Sequence, residues 1–396
     1  MTLSLCMIVK DEAQNLPHCL ASVRAVVDEM VVLDTGSRDG TPEIAQAQGA
    51  RVYDFAWGDD FAAARNAALK YVQGDWVLVL DADEVLLPEI IPALKKVIQH
   101  PHYLLVNLLR QEVGAGQSPY SLVPRLFRHH PAVHFSRPYH ESVEESIAQM
   151  RQREPQWQLR YLPQVSILHS GYQPTAIAAR NKLNRGRSIM EAYLATHPGD
   201  AYLCSKLGAL YVQSGALKRG ITLLKQGLEA APTEAATIYE LHYHLGIAYT
   251  QYPHPEQATA HYQAALQQGI PAHLKLGAYN NWGSLLKDQG DLTAAQTAFE
   301  AALEIDPGFA IGHNNLGLTL KALGNLPAAI AHYQEAIRLK PDYAEAHQNL
   351  AVILLKLGQV ADSLAAFRQA IALHQQQGSP EAERLRQGIT SMGLPL

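Results

Sequence analysis

Two carboxylates separated by one small residue, Asp81-Ala82-Asp83, follow directly on the apolar run Trp76-Val77-Leu78-Val79-Leu80. Aspartates at i and i+2 leaving a buried strand can reach one hard cation together. Mg²⁺ or Mn²⁺, which take mostly oxygen ligands, would in turn bridge diphosphate oxygens. That chemistry suits a reaction in which a bond to a nucleoside diphosphate breaks and the developing negative charge has to be neutralised. By itself an Asp-x-Asp is also what a solvated acidic turn or a helix N-cap looks like. Its place in the chain separates the two readings.

The elements around it alternate. Leu3 to Val9 reads as a strand, Leu16 to Val26 as a helix, and Met30 to Leu33 as a second strand closed by the turn residues Asp34-Thr35-Gly36-Ser37. Thr41 to Gln48 is helical with Pro42 in its first turn, Arg51 to Phe55 a short strand, and Phe61 to Val72 a helix that leads into the strand Trp76 to Leu80. Strands alternating with helices imply a parallel α/β sheet, and ligands bind such sheets at the carboxyl ends of the strands. Asp34 and Asp81 both stand at such ends. Residues 101–175, with Gly114-Ala115-Gly116 and many histidines and arginines, are expected to supply late strands and acceptor-side loops, and Ala176 to Ala195 a helix leading onward.

From about Asp200 the pattern becomes purely helical and repeats. Gly290, Gly324 and Gly358 recur at a step of 34, as do Phe299, Tyr333 and Phe367, and Gly283, Gly317 and Ala351. Pro307 and Pro341 keep the same step. A small residue in helix A, a glycine turn, an aromatic in helix B and a closing proline at this period is the tetratricopeptide pattern. Two looser units precede, around 201–234 and 238–271, and the segment from Pro380 to Gly388 reads as a polar capping helix. Three domains result: a catalytic domain over 1–175, a linking helix over 176–199, and a repeat array over 200–396. Asn281, Asn315 and Asn349 also recur at the 34 step, a ladder of amides able to bracket an extended polypeptide backbone.

Bulk properties exclude several classes. A net charge of −5 speaks against attraction to nucleic acid or anionic lipid. No apolar run is long enough to span a membrane, and MTLSLCMIVKDE lacks the basic start of a secretory signal. Three cysteines, Cys6, Cys19 and Cys204, without metal-type spacing suit a reducing compartment, so a cytoplasmic protein is expected.

The successive blocks MIVKDEAQNLPHCLASV, VVLDTGSRDGT, FAAARNAAL and GDWVLVLDADE resemble those of the inverting family-2 glycosyltransferases. Within that family they are closest to the lipopolysaccharide-core β-glucosyltransferase-like and sublancin-type S-glycosyltransferase branch. The blocks RLFR (Arg125 to Arg128), YHESV and ILHSGY continue the likeness over about the first 190 residues. The resemblance implies a GT-A, Rossmann-like nucleotide-sugar-binding domain, a metal-dependent transfer of a hexose (glucose or N-acetylglucosamine) from a UDP-sugar, and inversion at the anomeric carbon.

Carried over block by block, the family implies that Asp81 and Asp83 hold the cation and the donor diphosphate. His169 completes the metal shell. Lys10 and Glu12, at the end of the first strand, lie where the nucleoside binds, with Asp11 standing where the family usually has asparagine. Asp34 faces the uracil ring, and Arg65 lies near the nucleotide. Without the resemblance, Asp34 is a turn residue and Arg65 a helix-surface charge. Inversion needs a base that deprotonates the acceptor. Glu141, beside His140, is the candidate and Glu84 the alternative, while Arg125 and Arg128 are candidates to clamp phosphate. Two other readings are a non-catalytic repeat scaffold carrying a degenerate nucleotide-sugar domain, and a nucleotidyltransferase. Intact Asp34, Asp81 and Asp83 oppose the first, and Lys10-Asp11-Glu12 in place of a glycine-rich loop opposes the second.

Overall fold

The computed structural model describes residues 1–170 and 182–395, which fall into two compact units, Met1–Ala231 and Pro232–Leu396. The first unit begins with β1 (Leu3–Val9), α1 (Leu16–Val23), β2 (Glu29–Asp34), α2 (Thr41–Ala47), β3 (Arg51–Asp54), α3 (Phe61–Leu69) and β4 (Trp76–Val79). It continues with β5 (Glu84–Leu86), α4 (Ile91–Val97), β6 (Tyr103–Glu112), β7 (Tyr120–Arg128), α5 (Glu144–Arg153) and β8 (Gln158–His169). Alternate residues of β1 feed two cores. Leu5, Met7 and Val9 pack with Leu16, Leu20 and Val23 of α1, whereas Cys6 packs with Ala64 and Ala68 of α3 and with Ile147 and Met150 of α5. A strand buried on both faces accounts for the unbroken apolar run in the sequence.

The strand order is β3-β2-β1-β4-β7-β6-β8-β5. β1 runs parallel to β2 and β4, and β2 to β3. The expected parallel sheet is present from β3 to β4, and β6 also runs parallel to β8, but the sheet as a whole is mixed. β7 is antiparallel to β4 and β6, and β5 is antiparallel to β8. The physical reason lies in the stretch read only as loops and late strands: β6 and β7 are joined by seven residues around Gly114, too short for a crossover and long enough for a hairpin. The short strand β5 lays Glu84 against His169 in register, which brings the end of the chain's last strand to the Asp81-Ala82-Asp83 turn.

Helix α6 (Lys182–Thr196) covers the described part of the expected helix over 176–195; residues 176–181 lie outside the described residues, as do Gly171 and Tyr172 of the ILHSGY block. The first helix pair, α7 (Ala201–Gln213) and α8 (Leu217–Glu229), belongs to the first unit. Met190, Leu194, Leu203 and Tyr211 form one cluster with Tyr139 packed on it, and Arg137 pairs with Asp200 at 2.7 Å.

The second unit is four helix pairs and a cap: α9 (Ala235–Gln251) with α10 (Pro255–Leu266), α11 (Ala272–Asp288) with α12 (Leu292–Ile305), α13 (Ala310–Ala322) with α14 (Leu326–Leu339), α15 (Ala344–Lys356) with α16 (Val360–Gln376), then α17 (Glu381–Ser391). The repeating small residue seats the repeating aromatic. A Cβ on Gly246, Gly283 or Gly317 would lie 2.6, 2.9 or 2.7 Å from the ring of Tyr262, Phe299 or Tyr333. The cap α17 buries Ala382 and Ile389 against Leu364, Phe367 and Ile371, as a terminal solenoid face requires. Along the asparagine ladder, the amide of Asn281 donates to Tyr243 Oη (3.2 Å), that of Asn315 to Asn280 Oδ1 (2.9 Å) and that of Asn349 to Asn314 Oδ1 (3.0 Å). Each ladder residue thus gives one amide hydrogen to the repeat before it, so the series brackets the array as well as lining a face.

Candidate active site

Helix α3 starts at Asp60, whose carboxylate accepts from Ala63 N–H (2.8 Å), and its alanine-rich turn leaves room for Arg65 to point inward. Arg65 is only 4% exposed, not the surface charge its helix context suggests. Its Nε donates to Glu141 Oε1 (2.7 Å) and its Nη2 to Asp81 Oδ1 (2.6 Å), while Nη1 is buried with no partner. From β7, Arg125 Nη2 donates to the other oxygen of Asp81 (2.5 Å) and to Glu84 Oε1 (3.1 Å). Both oxygens of Asp81 therefore face arginines. Burial opposes charge on this carboxylate, but the Arg125 and Arg65 guanidiniums outweigh it and hold Asp81 well below the usual carboxylate range. Asp81 is 35% exposed by surface area, so solvent screens part of this attraction.

A second chain of contacts meets the first. Glu84 is fully buried and accepts from Arg110 Nη1 (2.7 Å), Arg125 and the Asp81 N–H (2.9 Å). These bonds consume the carboxylate, so the alternative base is a structural strut. Arg110 also pairs with Glu112 Oε1 (2.8 Å), and Glu112 Oε2 lies 2.5 Å from His169 Nδ1. His169 Nε2 then faces Asp83 Oδ2 at 3.4 Å. Burial disfavours the charged imidazole, but hydrogen bonds to Asp83 and Glu112 prevail and raise His169 to about 9. A cation taken up here would compete with that proton.

Among the described residues no three His, Cys, Asp or Glu side chains form a ready cluster around one point. Asp83 and His169 are brought together, whereas Asp81 is turned to its arginines. The donor set nevertheless fits a divalent ion. A carboxylate on one ring nitrogen that leaves the other aimed at a second carboxylate is the usual outer-shell arrangement of a histidine ligand.

Glu141 is held by its loop as well as by Arg65. Asn66 of α3 clasps the Phe135 backbone in both directions (2.8 and 2.9 Å), Phe61 N–H donates to Pro138 O, and Ser136 and Ser142 bond across the loop. His140, at φ +54°, takes the left-handed turn that swings Glu141 back to Arg65.

The nucleoside-side candidates lie at the ends of β1 and β2. Lys10 is exposed. Glu12 donates its N–H to Thr41 Oγ1 (2.8 Å) and accepts from Asn15 Nδ2 (2.8 Å). Asp34 is buried and accepts from Gly36 N–H, Ser37 N–H (2.9 Å each) and Ser37 Oγ (2.5 Å), so its carboxylate builds the turn. Asp11 sits at φ +53° and accepts from Arg38 N–H (2.8 Å). Asparagine and aspartate both tolerate that backbone and both offer Oδ1. Arg128 is not a partner of Arg125. It pairs in register with Trp76 at the start of β4, opposite the end that carries Asp81, and lies between the rings of Trp76 and Trp157. Arg110 and Glu112 escaped sequence reading. Their only signal is two opposite charges at i and i+2 at the end of a mostly apolar strand.

Comparison with known proteins follows the same division. The glycosyl transferase family 2 model matches residues 4–160, TPR repeat models match 283–324 and 319–358, and a tetratricopeptide repeat model matches 344–376. A TPR repeat-containing protein of Synechococcus elongatus is 48% identical over 393 residues, 99% of this chain and 98% of that protein. The SPbeta prophage-derived glycosyltransferase SunS of Bacillus subtilis is 27% identical over 203 residues, 50% of this chain and 46% of that protein. Among solved structures, MamA shares 21% identity over 43% of this chain and 96% of that one, with a TM-score of 0.37.

Proposed function

Because the chain belongs to glycosyltransferase family 2, fused to C-terminal tetratricopeptide repeats, we propose that it transfers a hexose, glucose or N-acetylglucosamine, from a UDP-sugar to an acceptor with inversion and with a divalent cation. The observation that carries this reading is the single guanidinium of Arg65, which holds Asp81 at 2.6 Å and Glu141 at 2.7 Å. It sets the donor-side carboxylate and the candidate base on two sides of one rigid fork.

In this reading the UDP moiety lies along the ends of β1 and β2, with Lys10, Glu12 and the Asp34 turn on the nucleoside side. Asp83 and His169 would hold Mg²⁺ or Mn²⁺, with Glu112 fixing the ring of His169 and Asp81 reaching the diphosphate through the cation and its two arginines. The cation would neutralise charge on the departing diphosphate. Arg65 and Arg125 add fixed positive charge at the same place, and the buried Nη1 of Arg65 is a donor awaiting an acceptor. Glu141 takes the proton from the acceptor as it attacks the anomeric carbon.

A protein or peptide acceptor fits the repeats, whose asparagine amides line one face. No helix among the described residues is long and apolar enough to cross a membrane. We place the reaction in the cytoplasm, in keeping with three buried, unpaired cysteines.

Release of UDP from UDP-glucose and UDP-N-acetylglucosamine, with and without Mn²⁺, tests the donor side. Activity is expected with the cation and not with Asp83→Ala. Turnover that survives both that substitution and chelation overturns the cation role. No turnover with any donor, together with peptide capture by the repeats, would favour the scaffold reading.

A further inference from the structure

Two pairs of histidines in the second unit play no part in the chemistry above and occupy equivalent places in the array. His242 and His313 each stand four residues before the small helix-A glycine (Gly246, Gly317), and His261 and His332 each immediately precede the helix-B aromatic (Tyr262, Tyr333). In both pairs the two Nδ1 atoms are 2.9 Å apart. The ring centroids lie 5.1 and 5.2 Å apart, at interplanar angles of 37° and 33°. The same local geometry is thus built twice, across α9 and α10 and across α13 and α14. The intervening repeat has Tyr279 and Ala298 at these positions, and the last has His347 and Ala366. The pairing is therefore not a requirement of helix packing.

We infer that each pair is a bidentate imidazole site for a divalent cation of the Cu²⁺, Ni²⁺ or Zn²⁺ type, joining helix A to helix B of its repeat. Cis ligands about 2.1 Å from one ion are about 3.0 Å apart at a right angle and about 3.4 Å at a tetrahedral one. The nitrogens thus stand at ligand spacing, or a few tenths of an ångström short of it. His313 is aligned for this by its other nitrogen, which faces the Pro307 carbonyl at 3.1 Å. A carbonyl only accepts, so the proton sits on Nε2 and leaves the Nδ1 of His313 unprotonated on the side of His332. His347 makes the same bond to Pro341 at 3.1 Å with Ala366 at the helix-B position, so in these two repeats the bracket comes without need of the second imidazole.

Without an ion, His332 carries its proton on Nδ1 and donates it to His313. Binding moves that proton to Nε2 and frees the second lone pair. All four rings are half-buried, reachable by an ion, and Tyr249 stacks on His261 at 5.5 Å. Burial lowers His242 and His332, the latter aided by His313, so lone pairs are available near neutral pH. Glu300 and Glu335 act on the His313–His332 pair, and Glu335 is itself paired with Arg338 at 2.5 Å. Among the described residues no third His, Cys, Asp or Glu completes either pair, so water fills the remaining positions. Imidazole ligands favour Cu²⁺ over Ni²⁺ and Zn²⁺, and Mg²⁺ and Ca²⁺ prefer oxygen.

The test is calorimetric titration of the full chain with Cu²⁺ and with Zn²⁺, comparing the parent with His261→Ala, His332→Ala and the double variant. Alanine already occupies both positions in sister repeats, so these variants retain the fold, which circular dichroism checks. Each single variant is expected to bind one equivalent fewer than the parent and the double variant two fewer, with Mn²⁺ uptake unchanged throughout. Zn²⁺ should raise the unfolding temperature of the array in the parent and not in the double variant. Equal stoichiometry in parent and double variant would leave the pairs as hydrogen-bonded neutral imidazoles and overturn the inference.

Discussion

Replacing Arg65 by methionine keeps the volume of a long buried side chain and removes its charge. Glu141, whose side chain is 13% exposed, then loses the guanidinium that binds it. Breaking a buried ion pair from one side costs about 3–5 kcal/mol, because the remaining charge is stranded. Asp81 keeps Arg125 and is 35% exposed, so its share is small, at most about 1 kcal/mol once solvent screening is allowed for. A unit of this size loses about 2–4 °C per kcal/mol, so the first unit should melt roughly 6–24 °C lower. Three of the four tryptophans, Trp57, Trp76 and Trp157, lie in that unit. In a Trp282→Phe background, tryptophan fluorescence against temperature therefore reports it alone. Adding Glu141→Gln removes the stranded charge, so the double variant should recover part of the loss even though it lacks one more native contact. Melting within about 2 °C of the parent for Arg65→Met, or no recovery in the double variant, would show that the bridge is not the buried network described.

Glu141→Gln alone should lower UDP-sugar turnover by about 100-fold or more while leaving donor affinity nearly unchanged, measured as kcat against Kd for UDP; a drop in affinity instead would assign Glu141 to donor binding. Replacing Asn281, Asn315 and Asn349 together by alanine removes one inter-repeat bond each, about 1 kcal/mol apiece, so the array should melt lower. Transfer to a peptide should fall more than transfer to a free sugar, and unchanged peptide transfer would remove the acceptor role of the ladder. Burial pushes the Cys6 thiol up to about 12 and the Cys204 thiol to about 11, and all three cysteines are buried. A thiol reagent at neutral pH should therefore label none in the native protein and three after denaturation; rapid labelling of the folded chain would contradict this packing.

Local signals sufficed for much of the fold. Leu3–Val9, Trp76–Val79 and the 34-residue step are short-range patterns in which spacing alone decides strand, helix or repeat, and each is realised within a few residues of its expected bounds. Asp81 and Asp83 were legible because the apolar strand before them points them to a sheet edge. What the sequence could not decide were partnerships made across the sheet. Nothing near Arg65 tells that its guanidinium is spent on Asp81 and Glu141, residues 16 and 76 positions away. Nothing near His169 tells that β5 will pair with β8 and set it beside Asp83 and Glu112. The antiparallel pairings of the sheet, Arg110, and the separation of Arg125 from Arg128 were hidden for the same reason. A buried charge is stable only when its counter-charge arrives with it, and that meeting depends on strand register, which is a property of the assembled sheet.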